Sequence, residues 1–155
     1  MEESLALELV RAFVAKINAH QADGLYELMT NDHRCVDAFG TAVQGREMVR
    51  QAWREYFTQV PDYQITCEQV TSGGNTIAIF GTASGTLSQA GHLAPAQRWK
   101  VPAAWNVVVR GTRVAAWQVY MDTHPLRQHL ARLGSDVVDG EAPQAGGNPA
   151  HPDGR

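Results

Sequence analysis

The 155-residue chain is long enough for one domain with a sizeable core. Its apolar fraction of 44% and charged fraction of 19% are those of an ordinary globular protein. A net charge of −3 without any Lys/Arg run argues against a nucleic-acid partner, and no stretch approaches the roughly 20 apolar residues that span a bilayer.

The first predicted element is a helix over Ser4–His20, where Leu5, Leu9, Phe13 and Ile17 repeat at helical spacing beside Ala6, Val10 and Val14. Glu2 and Glu3 give the start the wrong charge for a signal peptide, so the expected location is the cytoplasm. Leu25, Leu28 and Met29 predict a short second helix. A strand is expected over His33–Phe39, then a short return strand over Thr41–Gln44. The long helix predicted over Arg46–Val60 carries Met48, Val49, Ala52, Trp53, Tyr56, Phe57 and Val60 on one apolar face and stops before Pro61. Strands follow from Tyr63, with glycine turns at Ser72–Asn75 and Gly111–Thr112; Ser88–Gln97 reads as a loop because of Gly91 and Pro95. A brief helix is expected over Pro125–Leu133. The domain is thus expected to span 1–134, and 135–155, rich in Gly, Pro, Asp and Ala, to form a disordered tail. Cys35 and Cys67 have no metal spacing and read as reduced thiols.

Helices, a strand, a long helix and then consecutive strands predict an α+β domain with helices packed on one face of a curved antiparallel sheet. Aromatic residues fall on both faces of Arg98–Asp122, which predicts a homodimer through the open face.

Three motifs carry a resemblance: Asn31–Gly40, ending in Asp-x-Phe-Gly; Gly45-Arg46-Glu47 at the start of the long helix; and the last strand, Arg113–Asp122. Over roughly residues 4–134 the chain resembles the superfamily of nuclear transport factor 2 (NTF2-like), ketosteroid isomerase and SnoaL-like polyketide cyclases. The resemblance implies a cone of three helices on a curved sheet, with a cup that takes a small apolar organic ligand. It places Asp37 where the isomerases keep their general base, and Phe13 where they keep an oxyanion-hole tyrosine. Trp105, or Asn106 in a register shifted by one, falls where they keep a protonated aspartate. Epoxide hydrolases of this superfamily need an Asp two residues after the last-strand Trp; this chain has Val119 there.

His33, Cys35 and Asp37 share a strand face, with His33 and Asp37 roughly 13 Å apart on an extended strand. The candidate catalytic residues are Asp37 as general base in an apolar cup, His33, and Trp105 as a hydrogen-bond donor. The candidate ligand-binding residues are Phe13, Ile17, Trp53, Tyr56, Phe57, Trp117, Val119 and Met121. One strand face cannot wrap His33, Cys35 and Asp37 around one ion, so no metal is expected, and no cofactor. The function expected is proton-transfer chemistry on a carbonyl compound, as an isomerase, an aldol-type cyclase or a dehydratase (a lyase). The alternative is a ligand-binding protein without catalysis.

Overall fold

A computed structural model describes residues 2–89 and 92–136. In chain order the elements are α1 (Glu2–Asn18), α2 (Ala22–Glu27), β1 (Met29–Val36), β2 (Ala42–Gln44), α3 (Arg46–Gln59), β3 (Gln64–Gly73), β4 (Thr76–Gln89), β5 (His92–Arg110), β6 (Arg113–Met121) and α4 (His124–Asp136). The six strands form one sheet in the order β2-β1-β6-β5-β4-β3. All pairs from β3 to β6 are antiparallel, as expected, but β1 pairs parallel with β6, so the sheet is mixed.

One face of this sheet packs on the helices. Alternation along β5 buries Trp99, Val101, Ala103, Trp105, Val107 and Val109, and cross-strand pairing places Ile77 and Ile79 of β4 and Trp117 of β6 beside them. Val10, Phe13, Val14 and Ile17 of α1, Leu25 of α2, and Val49 and Trp53 of α3 close over that face. Leu5 and Met48, expected on the apolar stripes, are 63% and 62% exposed. Each lies within the first turn or two of its helix, beyond the part that covers the sheet.

Several boundaries differ from the expected ones. α2 ends at Glu27, so Leu28 and Met29 lead into β1, which starts before His33 and stops before Asp37. The expected loop over Ser88–Gln97 is largely strand. Pro95 is accommodated because residues 94–97 of β5 stand opposite Leu87 alone, in a bulge where a missing N–H breaks no ladder. α4 runs through Asp136, past the expected end at Leu133; the rest of the expected tail, 137–155, lies outside the described residues.

Gly81 is required by close backbone approach. A Cβ there would lie 1.8 Å from the carbonyl oxygen of Thr66, next to the bulge after Cys67. Gly81→Ala is therefore expected to cost about 1–3 kcal/mol, as overpacking does. Gly73→Ala, where the added Cβ meets nothing within 4 Å, should cost much less. Thermal unfolding followed by circular dichroism compares the two.

Candidate active site

β1 and β6 set the first wall of the site. Cys35 pairs with Trp117, and Trp117 with Val107, so all three point to the helix-covered face. His33 is fully buried; its Nδ1 lies 2.8 Å from the carbonyl oxygen of Val114. A carbonyl only accepts, so Nδ1–H donates and the neutral ring carries its free lone pair on Nε2. Nε2 has no hydrogen-bond partner. Burial pushes the His33 pKa below the ordinary histidine value, against the Val114 hydrogen bond and the nearby Asp32 charge, which keeps the ring neutral near pH 7.

The His33 ring stands 6.0 Å from Phe13, Phe13 stands 5.0 Å from Trp117, and Trp117 stands 6.3 Å from Trp105. Trp105 is 1% exposed and its indole N–H is unpartnered, whereas Asn106 is exposed on the opposite face. The register that points Trp105 inward is thus the one adopted. A second run of rings joins Trp53 to Tyr56 at 6.0 Å, Tyr56 to Tyr63 at 4.9 Å, and Tyr63 to Trp99 at 6.0 Å. Burial raises both phenols' pKa values, and neighbouring groups add to it (Tyr63, then Asp37 and Asp62, for Tyr56; Cys35 for Tyr63), so both stay protonated as donors. Burial, then the Asp37 charge, pushes the Cys35 thiol up to about 12, which makes it an inert lining residue at neutral pH.

The expectation of a buried Asp37 is corrected. The residue is exposed at the β1–β2 turn, and its Oδ1 accepts the N–H groups of Phe39 and Thr41, each at 2.9 Å. The turn closes with Gly40 N–H donating to the Asp37 carbonyl at 3.0 Å. Asp37-x-x-Gly40 is a β-turn pattern, with Asp first and Gly fourth, and that local signal outweighed the extended one. Phe57 is half-buried; it stacks on His20 at 4.7 Å and on Trp53 at 5.2 Å, and lines a groove of about 560 Å³ with Ala22 and Arg54. A second groove, about 330 Å³, lies between α1 and β3. Phe13, Ile17, Trp53 and Trp117 are buried on the helix-covered face; Tyr56, Val119 and Met121 are half-buried.

Sequence reasoning missed Tyr63, Trp99, Gln97 and His129. Trp99 has the inward parity of Trp105 within the expected strand; Gln97 has it too, but fell in the expected loop. His129 is three residues after the buried Leu126 on α4.

Among the described residues, six buried side-chain atoms lack a partner: His33 Nε2, Trp53 Nε1, Gln97 Oε1, Trp99 Nε1, Trp105 Nε1 and His129 Nδ1. Each unsatisfied group costs about 1–3 kcal/mol, and together that rivals the roughly 5–15 kcal/mol by which a whole domain is stable. Water or the polar groups of a ligand would satisfy these atoms. Among the described residues, no group of three or more His, Cys, Asp or Glu side chains is placed to hold a metal ion, and no helix is long and apolar enough to cross a membrane.

Residues 10–117 match the family model of the SnoaL-like domain. The chain belongs to the SnoaL-like family. This SnoaL-like domain has the fold of ketosteroid-isomerase-like and NTF2-like proteins. A hypothetical protein with that fold from Catenulispora acidiphila, solved in complex with trimethylamine, is 24% identical over 73% of this chain and 84% of its own, with a TM-score of 0.65. A protein described as a SnoaL-like polyketide cyclase, from Jannaschia sp. CCS1, is 19% identical over 81% of this chain and 91% of its own, with a TM-score of 0.70. An epoxide hydrolase of the LEH-like type from M. tuberculosis is 16% identical over 83% of this chain and 91% of its own, with a TM-score of 0.68. No curated protein matches the chain. At these identities the three solved structures establish the fold of the SnoaL-like domain, and its chemistry rests on its own residues.

Proposed function

We propose that this SnoaL-like domain is a cofactor-independent enzyme that moves a proton next to the carbonyl of a small organic compound. The observation that carries the reading is the unpartnered lone pair of His33 Nε2 and the unpartnered N–H of Trp105, both buried in the helix-covered core and joined by ring contacts through Phe13 and Trp117. His33 Nε2 takes the α-proton, the electron pair of the C–H bond moves into the enolate, and the Trp105 N–H donates to the developing oxyanion. The Val114 carbonyl holds the His33 ring and accepts from the imidazolium that forms. The proton returns to a second carbon in an isomerisation, or the enolate attacks or expels a group in a cyclisation or dehydration. Asp37 holds the β1–β2 turn in this scheme. Val119 stands opposite Trp105, at the position where an epoxide-opening carboxylate is needed, which weighs against that chemistry.

Hydrogen–deuterium exchange tests the proton transfer whichever product the enolate goes on to form. In D2O the protein should exchange α-protons of some members of a panel of unsaturated ketones and polyketide-like esters, read by NMR. Binding without exchange, across the panel, supports the second reading, a ligand-binding protein. That reading is favoured by the position of the only carboxylate expected in the cup, on the exposed turn.

The proposed assembly is a homodimer through the outer face of the sheet. There Phe80 pairs with Ala104 and Ala104 with Tyr120, a row in which Phe80 is 45% and Tyr120 52% exposed. Sedimentation at micromolar concentration should give twice the chain mass of 17.0 kDa, and Tyr120→Lys should shift it toward the monomer.

A further inference from the structure

Trp53 Nε1 aside, three of the unpartnered atoms have no part in the proton transfer described above. Gln97 Oε1 and Trp99 Nε1 come from the first half of β5, ahead of Trp105 on the strand, and His129 Nδ1 comes from α4. Gln97 is 5% exposed and closes the bulge opposite Leu87, with the inward parity of Trp99 and Trp105. His129 is 8% exposed, and its Nε2 lies 3.2 Å from the Arg98 carbonyl oxygen. That carbonyl fixes Nε2–H as the donor, and the tautomer it selects presents Nδ1 as an acceptor. α4 is held over this end of the sheet by Leu126, His129 and the Arg127 guanidinium, which lies 4.8 Å from the Phe39 ring centroid on the β1–β2 turn.

The Arg98 carbonyl that takes His129 stands between Gln97 and Trp99 on the strand, so two buried acceptors and one indole donor are gathered around one backbone position. A carbonyl oxygen satisfies only the indole. A hydroxyl donates to Gln97 or His129 and accepts from Trp99, so it satisfies both kinds of atom. We propose that Gln97 and His129 form a hydroxyl-reading subsite, by which α4 selects ligands bearing a hydroxyl. The inference rests on the small-molecule reading above and adds the residues that choose among carbonyl compounds. Deletion of the ligand hydroxyl leaves two buried acceptors empty, whereas deletion of the protein acceptors removes that penalty; discrimination therefore resides in these two side chains.

The test uses two pairs of probes: chalcone and 4-hydroxychalcone, and cinnamylideneacetophenone and its para-hydroxylated counterpart. Dissociation constants are read from tryptophan fluorescence at pH 7.5. The wild-type protein should prefer the hydroxylated member of at least one pair by about 5- to 150-fold. Gln97→Leu and His129→Phe should each bring that ratio toward one while binding the unsubstituted ketone as tightly or more tightly. Gln97→Leu replaces an unsatisfied acceptor by an apolar group of similar size, whereas His129→Phe also gives up the hydrogen bond to the Arg98 carbonyl, so unfolding midpoints are read for both and a folded protein is required before the ratios are compared. Equal affinities within both pairs for the wild type overturn the subsite and leave the small-molecule reading standing, with no variant needed. A preference that survives in both variants also overturns it. Failure of all four probes to bind counts against the carbonyl-ligand reading itself, and the subsite falls with it.

Discussion

His33→Asn is expected to lower turnover by about 10²–10⁴-fold on whichever compound the wild-type protein converts, the usual contribution of a general base. The amide nitrogen of Asn stands near the place of Nδ1, so the bond to the Val114 carbonyl is kept while the Nε2 lone pair is lost. Ligand affinity should change far less than turnover. Wild-type activity should rise with pH along a limb whose midpoint lies below 6.5, because burial lowers the pKa of His33 and only the neutral ring accepts a proton. His33→Asn should lose that limb. Stability carries the same sign. The unfolded chain binds a proton on this residue at a higher pH than the folded one does. Folding stability should therefore be full above pH 6.5, fall as the pH drops below it, and level off once the folded-state pKa is passed. In contrast, Asp37→Asn keeps an oxygen acceptor for the Phe39 and Thr41 N–H groups, and turnover should stay within a few-fold of wild type. Full activity in His33→Asn together with a loss of about 100-fold in Asp37→Asn would return the base to Asp37.

The parts of this site that could be read from sequence are those set by period. Val49 and Trp53 follow the helical repeat, and Trp105 and Trp117 the strand alternation, so their inward direction follows from spacing alone. The start of β1 was hidden because Asn31, Asp32 and Arg34 are exposed polar residues, leaving Met29, His33 and Val36 to mark the buried positions. A histidine in an otherwise apolar slot is a weak marker until its partner is known, and Val114 lies far along the chain. The environment of Asp37 depended on where the strand stopped, a boundary that competing turn and strand preferences decide within a few residues. Gln97 and His129 were obscured for another reason. Pro95 and Gly91 resemble loop punctuation, and only the pairing of Arg98 with Thr86 and Leu93 with Ser88 reveals a bulged strand. Period shows which residues point inward; it is silent on which inward polar atoms stay unpaired, because pairing depends on contacts between distant segments.

Trp105→Phe separates the donor from the base. The ring is fully enclosed, opposite Ile79 on one side and Val119 on the other, so phenylalanine keeps an aromatic face in the same place and removes only the N–H and part of the volume. Two effects on stability oppose each other. Loss of a buried, unpartnered donor relieves about 1–3 kcal/mol, while the smaller ring leaves a cavity that costs a similar amount, so the midpoint of unfolding should move by only a few degrees. Catalysis should not be balanced in this way. A donor aimed at a developing oxyanion contributes more in the transition state than in the ground state, and its removal typically costs about 10²–10³-fold in turnover with little change in substrate affinity. The double variant with His33→Asn should lose less than the product of the two single losses, because the base and the donor act on one enolate. Full additivity would mean that they serve separate steps. Unchanged turnover in Trp105→Phe would move the donor role to Trp53, whose buried N–H is likewise unpartnered, and Trp53→Phe should then show the loss of about 10²–10³-fold instead.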